Sequence, residues 1–570
     1  MRLSIPIAAL WLTRLPGVLA LDGALLRQLA ELADQGLNAD GTPILTSDEE
    51  ESFSAFSVSS SDTENIVAEY VELPLDNFAK NGDFSYEGTF WNRYWVKEGA
   101  YRPGGPVFLY DVGEGDAEPY WRGRLESETS WFRQMVEEFG GVGIVWEHRF
   151  YGNSTPGGID IYTPPEVFQR LTTAQSLADI DRFANQFSRK NINYTLTPDK
   201  TPWIMVGGSY PAMRAAFMRD RYPDTIFAAF ASSAPVEAKI DMSGYWDPIV
   251  RGMRRYGFGN CTNDVIASIS YIDKQLDRPS TAAALKKKFL GLGAEKTANA
   301  DFADALSYTF STWQSYGMEG SPYSLRKFCD HMSYDPETKK TAGADGWAKK
   351  KGVKWSVDRW AKWPYFVGMT NQYLDTNCSG NEEVEGNCEL DYVVRSPAGI
   401  AWSWQYCTEW GYFQSANLGP NQIVSKYSSL THWHDMCHRQ FPTATPPLFP
   451  DWPATARTNA QFGGWHIRPS QVYWSGGEFD PWRTLSPMSA ESWAPRVRES
   501  PSAPACGQKG GAGELFGYLL RDAQHCYDFR VGVKEGERSR GIWGEALRKW
   551  LKCFKPRKGR GKGRGREWKA

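Results

Sequence analysis

Gly207-Gly208-Ser209-Tyr210 carries the clearest chemical signal in the chain, because it joins the apolar run Trp203-Ile204-Met205-Val206 to a helix-like segment at 211–222. A serine on such a strand-to-helix turn exposes its hydroxyl at the end of a strand. The first helical turn then offers backbone N–H groups to developing negative charge. The chemistry this suits is acyl transfer through a serine nucleophile. The common pattern is Gly-x-Ser-x-Gly, and here Pro211 takes the place of the last glycine. Proline is tolerated in a first helical turn, where its missing N–H would lack a partner in any case. The bland alternative is an ordinary glycine-rich loop.

A serine hydroxyl needs a base to accept its proton, and the chain has only seven histidines. Doubly wound hydrolases run in the order serine, acid, histidine. His525 lies in Ala523-Gln524-His525-Cys526-Tyr527-Asp528, just after an apolar pulse at 515–520 that reads as a last strand. The acid is sought upstream in Gln471-Val472-Tyr473-Trp474-Ser475-Gly476-Gly477-Glu478-Phe479-Asp480-Pro481-Trp482. Asp480 is the better choice there and Glu478 the second. Glycine-rich loops after strands are where such folds place functional side chains.

Together these residues resemble the serine peptidase family of lysosomal Pro-Xaa carboxypeptidase, dipeptidyl peptidase II and fungal prolyl endopeptidase. Four further blocks carry the likeness. They are Val112-Gly113-Glu114-Gly115, Glu147-His148-Arg149-Phe150-Tyr151-Gly152, Trp404-Gln405-Tyr406-Cys407-Thr408-Glu409-Trp410-Gly411-Tyr412-Phe413 and Thr458-Asn459-Ala460-Gln461-Phe462-Gly463-Gly464. The resemblance spans about residues 65 to 555. It implies Ser209 as nucleophile, Asp480 as orienting acid and His525 as general base and acid. It also implies an oxyanion hole from the Tyr210 N–H with an N–H of the Gly113-Glu114-Gly115 loop. Cleavage after proline is implied too, with Met213 and Trp482 lining a small apolar pocket, as is an acidic optimum. A proline ring has no N–H to satisfy, so thioether and indole suit it. Met213 reads equally well as a core residue under the helix.

Strand-like runs at 106–110, 143–146, 202–206, 226–231 and 471–475, alternating with helical stretches such as 177–186, predict an α/β-hydrolase with a doubly wound sheet. From 236 to 400 the pattern turns to Lys- and Ala-rich helices with Trp-rich connectors, which reads as an inserted helical cap over the strand ends. The hydrolase domain is then divided into 21–235 and 401–554, closing on an amphipathic helix at 543–554. The Ser-, Pro- and Arg-rich segment 492–502 reads as a surface loop insertion, disordered and without effect on the site in the favoured reading and near the active-site rim in the other.

Residues 1–20 read as a signal peptide, with Arg2, an apolar run at 3–13 and Val18-Leu19-Ala20 before the cleavage point. No later stretch reaches the roughly 18 apolar residues of a membrane span. The expectation is a secreted, or vacuolar or lysosomal, glycoprotein. Asn153, Asn193, Asn260 and Asn377 begin acceptor sequons, Asn193 in the most favourable context. Nine cysteines without a Cys-x-x-Cys pair predict scattered disulfides, with at least one thiol left over. His432, His434, Cys437 and His438 could be drawn as a metal cluster, but serine chemistry needs no metal or other cofactor and none is expected.

The net charge of −3 gives no reason to expect nucleic acid as a partner. The basic, glycine-rich tail at 555–570 reads as a solvated disordered end, with polyanion contact as the lesser reading. The expected partners are peptides or proteins containing proline, and a homodimer is left open. Two alternatives remain: a carboxylic-ester hydrolase on the same fold, and a catalytically inactive binding homologue.

Overall fold

Strands buried on both faces form the centre of the molecule. In the computed structural model, which describes Ala33 and residues 65–79, 88–320, 323–511 and 513–557, β3 (Val107–Asp111), β4 (Val142–Trp146), β5 (Trp203–Gly208) and β6 (Ala228–Ser232) have every residue buried. Side chains alternate across a strand, so a continuous apolar run serves two cores at once. Val107 and Leu109 face one core with α2 (Thr173–Ala184) and α3 (Tyr210–Arg221). Phe108 and Tyr110 face the other, with α1 (Trp131–Phe139) and the indoles of Trp543 and Trp550. The expected signal peptide and the tail beyond 557 lie outside the described residues.

With β1 (Glu69–Pro74), β2 (Thr89–Lys97), β7 (Val472–Gly477), β8 (Arg498–Ser500) and β9 (Glu514–Leu520), the nine-stranded sheet runs β1-β2-β4-β3-β5-β6-β7-β9-β8. The β1–β2 and β2–β4 pairs are antiparallel and all others parallel. This is the strand order of an α/β-hydrolase, with the elbow strand β5 at its centre.

Between β6 and β7 the chain is mainly helical and forms the cap, from Ser243–Trp246 to Gly464–His466. Helices continue past residue 400, through Pro397–Gln405, α4 (Leu430–Gln440) and Thr455–Phe462. Disulfides Cys261–Cys329, Cys378–Cys388 and Cys407–Cys437 staple this insertion, and Cys506–Cys553 ties the end of the chain. Cys526 is the thiol left over, and it is buried.

Two expectations need correction. The 492–502 segment is not all loop, because Arg498–Ser500 pairs with β9 as the edge strand β8. The closing helix α5 is longer than read, running from Lys534 to Leu551. At the start of the basic tail, the Arg557 N–H donates to the Asp199 carbonyl at 2.7 Å.

Candidate active site

The turn after β5 holds Ser209 at φ +67°, a conformation rare for a residue with a side chain. Its surroundings explain how this is held. A Cβ on Gly207 would lie 2.4 Å from the Pro211 carbonyl, so only glycine lets β5 and α3 meet this closely. The Ser209 N–H donates to the Ser232 carbonyl on β6 at 2.9 Å, which pins the turn to the sheet. Ser209 is half-buried while its neighbours on both sides are buried, so the hydroxyl-bearing residue is the one left accessible.

Asp480 and His525 come together from the loops after β7 and β9. The His525 Nδ1 stands 2.9 Å from each carboxylate oxygen of Asp480. Both residues are buried. Nδ1 therefore carries the proton, and Nε2, buried and without a hydrogen-bond partner among the described residues, is the basic nitrogen. Burial opposes charge on this ring, but the Asp480 carboxylate and the adjacent Cys526 sulfur outweigh it and raise its pKa well above the ordinary value. The loop is anchored by Asp528, which accepts from Ser232 and Ser475 at 2.5 Å and from Ser539 at 3.1 Å. It packs on the elbow, since a Cβ on Gly208 would be 3.0 Å from the Cys526 sulfur. Glu478 is turned elsewhere, accepting from the Asp522 N–H at 3.1 Å.

Two of the sequence blocks converge on Tyr210. His148 Nδ1 donates to the Arg149 carbonyl at 2.6 Å, leaving Nε2 to accept from the Tyr210 hydroxyl at 3.1 Å. That hydroxyl accepts from Gln405 Nε2 at 2.6 Å, and Gln405 Oε1 accepts from Tyr151 at 2.6 Å. Burial first, then Arg214, holds His148 well below its ordinary pKa, in keeping with its neutral role here. Tyr210 opens α3, where N–H groups have no intrahelical acceptor.

Gly113, expected as an oxyanion donor, here has its N–H turned to Asp111 Oδ1 at 3.2 Å. Its role is steric: a Cβ there would meet Pro211 Cγ at 2.3 Å. Asp111 also holds Arg214 of α3 in a buried ion pair at 2.5 Å. Glu114, the next loop residue, is buried.

Met213 and Trp482 are linked by a residue that sequence reasoning did not single out. The Tyr412 hydroxyl lies 3.6 Å from Met213 Sδ, and its ring meets Trp482 edge-on at 5.1 Å. The hydroxyl also donates to the Pro235 carbonyl at 2.5 Å. Gln314 of the cap was missed as well. Its Oε1 accepts from Trp482 Nε1 at 2.7 Å and from Tyr245 at 3.1 Å, and its carbonyl accepts the His525 N–H at 3.1 Å. Asp480 in turn accepts the Trp482 N–H at 2.9 Å. Tyr412 lies within the Trp404–Phe413 block. Gln314 left no local signal, because its partners are far away in sequence.

The metal cluster drawn from sequence does not form as drawn. Cys437 is bonded to Cys407, and His432 pairs with Asp304 at 2.6 Å. Of the sequon asparagines, Asn153, Asn193 and Asn377 are exposed. Asn260 is half-buried, its Oδ1 accepting the Cys261 N–H at 2.8 Å. No described helix is long and apolar enough to cross a membrane.

The chain is similar in sequence to known proteins. A probable extracellular serine carboxypeptidase of Arthroderma benhamiae is 28% identical over 73% of this chain and 59% of its own length. Human thymus-specific serine protease is 28% identical over 74% of this chain and 77% of its own. Bovine lysosomal Pro-X carboxypeptidase is 25% identical over 72% and 77%. Among solved structures, a proline iminopeptidase of Mycobacterium smegmatis overlays with a TM-score of 0.32 at 12% identity, covering 85% of this chain and 100% of that one. The serine carboxypeptidase S28 family model matches residues 73–495, and the chain belongs to that family of serine peptidases.

Proposed function

We propose that this chain is a secreted serine peptidase that hydrolyses peptide bonds on the carboxyl side of proline through an acyl-enzyme. The observation that carries the reading is the buried His525 ring, held by Asp480 at 2.9 Å through Nδ1 with Nε2 unpartnered, in a loop packed against a strained serine turn. Ser209 Oγ attacks the scissile carbonyl while His525 Nε2 takes its proton, then returns it to the leaving amine. Asp480 fixes the tautomer and stabilises the imidazolium. The oxyanion is met by the Tyr210 N–H and a second donor from the 113–115 loop beyond Gly113. Removing one such donor typically lowers the rate about 10²–10³-fold. Water then repeats the sequence on the acyl-enzyme.

Proline preference rests on the apolar group formed by Met213, Tyr412 and Trp482 and on the name printed for the bovine lysosomal relative. Passage through the secretory pathway rests on the signal-peptide-like composition of residues 1–20 and on the disulfides, which suit an oxidising compartment. The test is labelling with a serine-directed phosphonate, with the adduct located by peptide mass. A single adduct on Ser209, absent from Ser209→Ala, supports the reading. An unlabelled but folded wild type would instead make the chain an inactive homologue.

A further inference from the structure

A cluster away from the elbow has the donor set and spacing of a metal site. His434 and His438 stand four residues apart on one face of α4, their ring centroids 4.4 Å apart. The following loop brings Asp451 against both: its Oδ1 is 3.3 Å from His434 Nε2 and 4.0 Å from His438 Nε2. One donor atom from each of the three lies within 4.8 Å of the others. Ligands at about 2.0–2.1 Å in a tetrahedron stand about 3.3 Å apart, so the first spacing already fits and the second needs to close by less than an ångström.

The orientation of the rings argues further for a ligand. His434 Nδ1 lies 3.1 Å from Asp435 Oδ1. A carboxylate there accepts a hydrogen bond from Nδ1–H, which keeps the proton on Nδ1 and turns Nε2 toward Asp451, as metal-binding histidines are commonly supported. Trp452 lies against His434 at 4.6 Å and Phe449 edge-on to His438 at 5.4 Å, so both rings are braced by the loop that supplies the carboxylate. As the cluster stands, His438 Nε2 is 3.3 Å from the Asp451 carbonyl, a contact the ion would replace. Asp451 is largely exposed, leaving room for water as a fourth ligand.

We propose that His434, His438 and Asp451 bind one divalent transition ion of the zinc type, with Asp435 as the supporting carboxylate. Two imidazoles and a carboxylate suit zinc or copper and discriminate against calcium and magnesium, which prefer all-oxygen sites. The ion would clamp the 449–452 loop to α4. The neighbouring Ala454 N–H donates to Thr408, and Trp452 reaches Phe413, so the clamp adjoins the segment that carries Tyr412. The role assigned is binding, outside the hydrolytic machinery.

The experiment is equilibrium dialysis of the full chain against zinc chloride at neutral pH, with calcium chloride as control. The expected result is one equivalent of zinc bound, at least tenfold weaker binding in Asp451→Asn and in His438→Gln, and weaker binding in Asp435→Asn. Calcium should not compete. Because Asp451 and Asp435 are exposed, their variants keep the fold intact if a histidine variant does not. Copper(II) electron paramagnetic resonance gives a second readout, with nitrogen coupling from two imidazoles reduced in His438→Gln. Absence of zinc binding, or binding of equal strength in Asp451→Asn and His438→Gln, would overturn the site.

Discussion

Gly113 and Pro211 face each other with room for nothing larger than hydrogen: a Cβ at 113 would stand 2.3 Å from Pro211 Cγ. The ring that replaces the usual glycine at the end of the serine motif is thus accommodated by a glycine on another loop. Gly113→Ala should lower kcat/KM at least tenfold and destabilise the fold by about 1–3 kcal/mol, since φ +76° at this position is also unfavourable for alanine. Part of that loss should be recovered in Pro211→Gly, with a coupling of about 0.5–3 kcal/mol in a double-mutant cycle read by denaturant unfolding. Strict additivity would show that the two residues do not constrain each other.

Ser209→Gly should abolish turnover and raise the thermal midpoint together. Glycine adopts φ +67° without strain, relieving of the order of 1–3 kcal/mol that serine stores there. Calorimetry beside an activity assay checks both halves. A midpoint that falls would mean the turn is not strained as described.

Asp480→Asn should cut kcat by about 10⁴, because an asparagine favours the wrong imidazole tautomer. Glu478→Gln should change it little, since Glu478 faces Asp522 and Arg521. The reverse outcome in steady-state kinetics would reassign the acid.

The kcat/KM profile should fall on the acid side around a pKa above the ordinary histidine value of 6.5, because Asp480 and Cys526 raise His525 despite its burial. Only the neutral ring can act as base, so activity appears as pH rises through that value. The stability term has the opposite sense. The charged pair contributes fully below the unfolded pKa and is lost as pH climbs through the raised folded one. This limb runs against the acidic optimum that the family likeness implies. A limb below about pH 5 would show that Asp480 does not govern the base.

Met213→Trp should crowd the apolar group around Tyr412 and reduce cleavage after proline more than cleavage after alanine. The ratio of the two rates cancels any loss of folded enzyme caused by overpacking a buried site. An unchanged ratio would return Met213 to the core.

The central strands were legible because burial on both faces leaves uninterrupted apolar runs, as in Val107–Asp111 and Trp203–Gly208. The edge strands were not. Glu69–Pro74 has its apolar residues interrupted by Glu69 and Glu72, and Arg498–Ser500 is a polar triplet that becomes a strand only by pairing with β9. Ser209, Asp480 and His525 were read from turn chemistry and chain order, and the last two do meet in space. Gln314 joins Trp482, Tyr245 and His525 across long stretches of chain. Contacts of that kind are set by how the cap folds back over the sheet, and no local pattern encodes them.

The most direct test of the central claim is digestion of a mixed peptide library at pH 4 to 8 by the purified protein and by Ser209→Ala, read by mass spectrometry. The account predicts wild-type cuts after proline that vanish in the variant, with fragment lengths showing whether ends are trimmed or chains are cut internally. Cuts without proline preference, cuts that persist in Ser209→Ala, or no cuts by a folded wild type would contradict it.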